Sequence, residues 1–405
     1  MTLSPGDGTD TAGRNDMKNK TWRIARNSSW KLNEMVHEEI MSNLEDCVFH
    51  DFENTLHYVP ELEQELAQAF GFRHVICCAS GSAAILLGLL ALGVKPGDEV
   101  ITAANSDVSD TNSILHARGV PVYCDIDPDD YTIDPEKIEA LISPKTKVLM
   151  PIDIYGHPAD VRIIREIADR HGLKVLEDAA LASCSKDYGK PVGTFADATI
   201  FSTISSKSIQ SAGYGGFIGT NDSEIAERAE LFRGYGLKKE TDGIPDMKNY
   251  VTAGYNLMMN PLDAAVLLPK LKLFPEAMEK RRRIMKLYTD MLCDNEAVSV
   301  PKFRQESDPV PREFVIRVLS DGTTSGKRDS LFTMLREDGV QVTTGYTPPA
   351  HQRMFHEYGC GERHGDLSVT ERLGLEMLSL PVDPSLTKED IRYICDIINH
   401  FSYQN

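Results

Sequence analysis

Three short stretches of this chain set residues capable of chemistry beside apolar runs. ASGSAA, Ala79 to Ala84, follows the run HVICC and opens an apolar helix. Its backbone N–H groups and the Ser82 hydroxyl would point at whatever lies at the helix N-terminus, where unpaired donors and partial positive charge suit a phosphate. A plain serine cap with a glycine turn would give the same string. In KVLED an apolar run delivers Glu177 and Asp178 together; an acid at a strand end is either catalytic or the cap of the next helix. Lys207, within ISSKSIQSAGYGG, sits among hydroxyls and small residues directly after another apolar run. Taken alone, it reads as a solvated lysine.

These residues must be positioned by the elements around them. PELEQELAQAFG, Pro60 to Gly71, opens with proline, repeats Leu62, Leu66, Ala69 and Phe70 on one face and ends in glycine, which predicts a helix. From there to about residue 235, short apolar runs alternate with amphipathic segments: HVICC, EVITAA, PVYCDI, KVLMPIDIYG, KVLED, ATIFST and GGFIGT are the runs. Helices are expected between them near Val108 to Arg118, from Pro135, from Ala159 to Arg170 and from Ser223 to about Tyr235. That alternation predicts βαβ units, a mostly parallel sheet covered on both faces, and ligands at the carboxyl ends of the strands. Gly236 to Asn256 turns polar and rich in Gly, Pro and Asp, and reads as a long loop, after which helix is expected again from Pro261 through Leu273. The expected division is an arm over 1–25, a large domain over 26–270, connecting helices over 271–300 and a small α+β domain over 301–405.

With that frame, a phosphate cradle, a strand-end acid and a loop lysine fall in separate crossovers of one sheet, which describes a site for pyridoxal phosphate. Neither the Ser82 turn nor GYGGFIG has the G-x-G-x-x-G spacing, so a dinucleotide is not expected. Composition narrows the partners further. With 43 basic and 61 acidic residues the 405-residue chain carries a net charge of −18, which argues against a nucleic-acid or anionic-membrane surface. The eight cysteines include no CxxC pair, so no disulfide scaffold, zinc cluster or other metal site is expected. No apolar run approaches a membrane span, and the polar first 20 residues lack a signal-peptide core. The expected location is the cytoplasm.

At these residues a family resemblance becomes specific. SGSAAILLGLLALGVKPGDEVI, DIDPDDYTIDPEKIEALISPKTK, IYGHPADVRIIREIADRHGLKVLEDAA, FSTISSK and GYGGFIGTN occur in order, and over roughly Tyr58 to Phe401 the chain resembles the DegT/DnrJ/EryC1/StrS family of sugar aminotransferases. The resemblance implies a fold-type-I pyridoxal-phosphate enzyme, with a large mixed sheet domain, a smaller C-terminal domain and a homodimer with shared active sites. It implies that Lys207 takes the cofactor as a Schiff base and moves the proton, and that Asp178 pairs with the pyridine nitrogen. Gly81, Ser82 and Ser202 would contact the phosphate, and Asn256, in GYN, would reach it from the neighbouring subunit. It also exposes departures. Leu181 stands where the family usually has glutamine, and Asp107 where it places an aromatic ring over the cofactor. Met258, Tyr214 and Gly345 replace an arginine, an acid and a histidine on the substrate side, although His351 remains. The implied reaction is amino transfer from an amino acid, glutamate or glutamine, to a keto-sugar, nucleotide-linked or aminocyclitol. The departures keep elimination, epimerisation or another non-transfer reaction beside it, and a non-catalytic regulatory role as a third reading.

Overall fold

The computed structural model describes residues 22–27, 30–50, 57–239, 245–320, 322–346, 348, 352, 353, 357, 358 and 363–404. Two N-terminal helices, α1 (Trp30–Met35) and α2 (His37–Phe49), precede α3 (Tyr58–Phe70). Helix α3 buries Leu62, Leu66 and Phe70 on one face and ends where Gly71 turns left-handed at φ 75°, as its periodicity and terminal glycine predict.

Seven strands follow as the central sheet: β1 (His74–Cys78), β2 (Glu99–Ala103), β3 (Val120–Cys124), β4 (Thr146–Met150), β5 (Lys174–Asp178), β6 (Ala198–Ser202) and β7 (Gly216–Thr220). Their order is β1-β7-β6-β5-β4-β2-β3. Strands β6, β5, β4, β2 and β3 pair in parallel, and β7 pairs antiparallel with both β6 and β1. Six strands therefore run one way and β7 alone opposes them. The crossovers include α4 (Gly81–Ala91), α5 (Val108–His116) and α6 (Val161–His171), with α7 (Ser223–Arg233) after β7. Helices on both faces explain why β2, β6 and β7 are buried along their whole length.

Two expectations are corrected here. Gly236 to Asn256 contains a two-stranded antiparallel hairpin, Leu237–Lys239 with Pro245–Tyr250. Its Pro and Asp content reads as loop because strand formation there comes from cross-strand pairing and not from intrinsic propensity. The helix expected over Pro261 to Leu273 is α8 (Pro261–Leu267) continued by a tighter 3-10 turn, Leu268–Leu273, in which Pro269 lacks the N–H an α-helix needs.

Helix α9 (Phe274–Leu292) joins two cores: Phe274 packs with Leu62 and Leu66, whereas Ile284, Tyr288 and Leu292 belong to the C-terminal core. That core covers an antiparallel sheet of β8 (Val298–Ser299), β9 (Phe314–Val318), β10 (Thr343–Thr344) and β11 (Met377–Leu380), ordered β8-β9-β11-β10. Helices α10 (Gly326–Glu337), α11 (Ser368–Glu376) and α12 (Lys388–Gln404) complete the region. Most of the arm lies outside the described residues, but Ile24 is buried in the C-terminal core and bridges Val340. No described helix is long and apolar enough to cross a membrane.

Candidate active site

Three chain turns at the carboxyl ends of the strands build the site. At the first, Ser80 caps α4 by accepting from the Ala83 N–H at 3.1 Å, which leaves Gly81 and Ser82 in the opening turn facing a cavity. The cap reading of ASGSAA is met by Ser80, and Ser82 is left lining the cavity. A Cβ on Gly81 would lie 2.8 Å from the Ser202 Cβ, and one on Gly216 would lie 2.7 Å from the Gly81 nitrogen. Glycine is needed at both positions for the backbone of α4 to close on β6 and β7.

At the second turn, β5 ends in Asp178, whose N–H donates to the Pro151 carbonyl and whose Oδ1 accepts from Ala180 N–H at 2.8 Å. At the third, residues 203–215 fold back between β6 and β7: Thr203 N–H donates to the Gly215 carbonyl, and Ser205 N–H to that of Gly213. Lys207 sits at the tip of this closed loop. Gly81, Ser82, Asp107, Asp178, Leu181, Ser202, Lys207 and Tyr214 all line one cavity of about 660 Å³.

The charges in this cavity are coupled. Burial pulls the Lys207 amine below the usual lysine range, against the opposing influence of Asp178. Burial raises Asp178, partly offset by a hydrogen bond from Asp110, the Ala180 N–H and the charge of Lys207. Asp110 lies in the first turn of α5, is buried, and is held well above the carboxylate range by burial and then by Asp178. Asp107 caps α5, its Oδ1 accepting from the N–H and hydroxyl of Ser109 at 2.9 and 2.8 Å. The aspartate that replaces an expected aromatic ring therefore has a helix-start function of its own. Leu181 is 7% exposed and packs in the core beside the cavity; its side chain offers no hydrogen-bond donor.

The second half of the wall comes from residues the sequence reading did not single out: Arg26, Tyr155, Arg312, Glu313, Thr343, Thr344 and Tyr346. Tyr155 is buried at φ 59°, and its carbonyl accepts from the N–H groups of Arg312 and Glu313. A Cβ on neighbouring Gly156, at φ 101°, would lie 2.3 Å from the Val310 carbonyl oxygen. This contact brings the segment before β9 to the site. Arg26 pairs with Glu313, and Ser379 Oγ donates to the second Glu313 oxygen at 2.6 Å. Against the burial that would raise it, Arg26 and Arg312 hold the Glu313 carboxyl below its usual range. The signal available for Tyr155 was IYGHPAD itself; for Arg312 and Glu313 it was two charged residues immediately before an apolar strand.

Three sequence-singled residues do not line this cavity. Asn256 is exposed and bridges Gly234. Met258 is 52% exposed and lines a separate depression with Arg233, Tyr235 and Tyr250. Gly345 has no space for a side chain, since a Cβ there would lie 2.8 Å from the Met377 Cβ. His351 lies outside the described residues.

Comparison with known proteins agrees with this architecture. The model of the DegT/DnrJ/EryC1/StrS aminotransferase family matches residues 34–399. A pleiotropic regulatory protein of Geobacillus stearothermophilus is 37% identical over 85% of this chain and 89% of its own length. A UDP-2-acetamido-2-deoxy-3-oxo-D-glucuronate aminotransferase of Pseudomonas aeruginosa is 31% identical over 83% of this chain and 89% of its own. The crystal structure of NtdA from Bacillus subtilis with bound cofactor PMP superposes with a TM-score of 0.81 at 30% identity, covering 95% of this chain and 88% of that one. With its mixed seven-stranded sheet, its C-terminal α+β region and a family match over most of its length, this chain belongs to the DegT/DnrJ/EryC1/StrS family of pyridoxal-phosphate-dependent aminotransferases.

Proposed function

We propose that this chain is an aminotransferase that uses pyridoxal phosphate to move an amino group from an amino acid, glutamate or glutamine, to a keto-sugar, nucleotide-linked or an aminocyclitol, as a homodimer in the cytoplasm. The observation that carries the reading is the convergence of Lys207, Asp178 and the Gly81–Ser202 contact on one cavity. The residues fit the cofactor. The start of α4 offers free N–H groups and the Ser82 hydroxyl to a phosphate, and the close packing at Gly81 leaves that approach clear of side chains. Asp178 offers a carboxylate for a protonated ring nitrogen, and Lys207 offers an amine whose burial favours the neutral, nucleophilic form.

Bound pyridoxal phosphate supplies an electron sink for the pair released when a proton leaves the substrate carbon. This chain's own residues then have defined work. Lys207 Nζ would hold the cofactor and could move a proton at the substrate carbon. Asp178 would hold the ring nitrogen charged. Tyr155 and Tyr346, with rings 5.9 Å apart and nearly parallel, close the wall beside them. Leu181 and Asp107 supply neither a hydroxyl contact nor a stacked ring, which motivates the second reading, a non-transfer reaction on the same cofactor.

Incubating the cofactor-loaded protein with single amino acids separates the two. Stoichiometric pyridoxamine phosphate together with a 2-oxo acid supports transfer. Turnover of one sugar substrate without any donor supports elimination or epimerisation, and absence of a lysine-linked chromophore moves weight to a regulatory role. Borohydride reduction and peptide mapping should find the label on Lys207, and Lys207→Ala should abolish turnover.

A further inference from the structure

Residues 22–27 are far in sequence from Lys207, yet they run from the C-terminal core to the loop that carries it. Ile24 is 2% exposed and belongs to the cluster of Leu335, Val340 and Val342. Its N–H donates to the Gly339 carbonyl at 3.1 Å and its carbonyl accepts from the Gln341 N–H at 3.0 Å, so the segment lies parallel to the chain between α10 and β10. Two cation–ring contacts hold its start. The Arg23 guanidinium lies 3.5 Å from the centre of the Tyr393 ring in α12, and that of Arg336 in α10 lies 5.0 Å from the Trp22 ring. Beyond this anchor the chain reaches the cavity. Arg26 N–H donates to Gln341 Oε1 at 3.0 Å, while its guanidinium pairs with Glu313 and the residue lines the cavity with Lys207. Asn27 Nδ2 then donates to the Ser205 carbonyl at 3.1 Å.

The receiving loop closes its own base, Thr203 on Gly215 and Ser205 on Gly213, and Lys207 N–H donates to the Ile204 carbonyl at 2.8 Å. The carbonyls of Ser205 and Ser206, the two residues before Lys207, are instead taken by side chains from outside the loop: Asn27, and Arg312 through Nε at 2.6 Å. Arg26 and Arg312 both act on the buried Glu313 carboxylate, which also accepts from Ser379. We infer that segment 22–27 is a strap from the C-terminal core to the Lys207 loop and that Arg26 is its positioning residue, holding Glu313 so that strap, cavity wall and loop keep one arrangement. A buried carboxylate that loses a facing guanidinium is left under-compensated, and a loop that loses a donor from outside opens more readily. The inference rests on the fold and the cavity, whichever reaction the site performs.

The test uses the full-length, cofactor-free protein and hydrogen exchange read by mass spectrometry, followed by the rate at which bound pyridoxal phosphate is released, read by absorbance. In Arg26→Gln, peptides from 203–215 should exchange several-fold faster than in wild type while those from β2 and β4 keep their rates, and the cofactor should leave several-fold faster. Arg26→Lys keeps the charge without the fork and should recover part of both changes. Adding Arg26→Gln to Glu313→Gln should speed release no further, as a residue that acts through Glu313 requires. Asn27→Ala should loosen the same peptides, and it decides if Arg26→Gln does not fold. Wild-type exchange across 203–215 in a folded Arg26→Gln or Asn27→Ala overturns the proposal. So does faster exchange spread evenly over the central sheet, which is a general loss of stability, and so does full additivity with Glu313→Gln. Failure of the aminotransferase reading is distinguishable, because the exchange measurement needs neither cofactor nor turnover.

Discussion

Asp110 and Asp178 bring their carboxyl groups within hydrogen-bonding reach of one another, the first from the opening turn of α5 and the second from the end of β5. Asp110 Oδ1 is buried and receives no donor from a described residue, so the pair is satisfied only when it holds a proton. Asp178 has the Ala180 N–H and the charge of Lys207 to stabilise its ionised form, and Asp110 is held further above the carboxylate range. The proton therefore belongs on Asp110, which donates to Asp178 and leaves it charged.

From this relationship, Asp178→Asn is expected to fold and bind pyridoxal phosphate yet lose on the order of 10² or more in kcat, because an amide cannot hold the ring nitrogen charged. Asp110→Asn keeps a donor in the same place and should retain most of the rate, whereas Asp110→Val removes the donor and should not. Steady-state kinetics on cofactor-saturated protein decide; wild-type kcat in Asp178→Asn would show the assigned role to be wrong.

Gly81→Ala should weaken cofactor binding without unfolding the protein. Alanine favours a helix over glycine by up to about 1 kcal/mol, so α4 itself gains. The added Cβ, however, would lie 2.8 Å from the Ser202 Cβ and 3.0 Å from its Oγ. Relief of that overlap moves Ser202 or the start of α4, both of which line the cavity. The expected result is a rise in cofactor Kd of about tenfold with a nearly unchanged thermal midpoint. A variant that binds cofactor as tightly as wild type would remove Ser202 and Gly81 from the phosphate site.

The part of the site that was legible in sequence lies where each chemical residue directly follows an apolar run: Ser82 after HVICC, Asp178 at the end of KVLED and Lys207 after ATIFST. Strand-then-turn order is enough to place such residues at one sheet edge. Arg26, Arg312 and Tyr346 were not legible because a region distant in sequence brings them in. The arrival of Arg312 depends on the left-handed backbone at Tyr155 and on the close approach of Gly156 to Val310, and that of Arg26 on its pairing with Glu313; none of these leaves a periodic trace. Asp110 was hidden for another reason. An acid in the first turn of a helix is ordinarily a solvated partner of the helix dipole, and only the tertiary fold buries this one against Asp178.

Acid sensitivity should report a residue outside the site. His157 is 1% exposed, its Nδ1 donates to the Asp130 carbonyl at 2.9 Å, and its Nε2 has no partner among the described residues. Burial pushes its pKa down to about 4. Between pH 6.5 and 4 the unfolded chain takes up a proton here and the folded chain does not, so stability falls on acidification by about 1.4 kcal/mol per pH unit through this window. Asp130 and Asp187, both raised to about 6 by burial, have the opposite slope. The measurement is therefore the difference between His157→Gln and wild type in denaturant-derived stability at each pH. Parallel curves from pH 6.5 to 4 would mean that His157 does not titrate as its burial requires.

The last prediction concerns assembly. Asn256 is exposed, does not line its own chain's cavity, and follows a surface on which Tyr235, Tyr250, Val251, Tyr255 and Met258 are all at least 40% exposed. Large apolar side chains gathered in one region are a partner surface more often than a solvated one, and a second copy would bring its Asn256 with them. If Asn256 serves the phosphate across that surface, the Asn256→Ala homodimer should be clearly impaired while its Lys207 remains intact. Dissociating that protein with a Lys207→Ala chain and reassembling the mixture makes hybrids in which one site carries both intact residues and the other carries neither. Activity should then exceed that of either parent, approaching half the wild-type value per hybrid. Exchange must be verified by mass, since two unexchanged parents would also show no gain. Fully exchanged hybrids without restored activity, or a sedimentation profile showing an active monomer, would confine Asn256 to its turn beside Gly234.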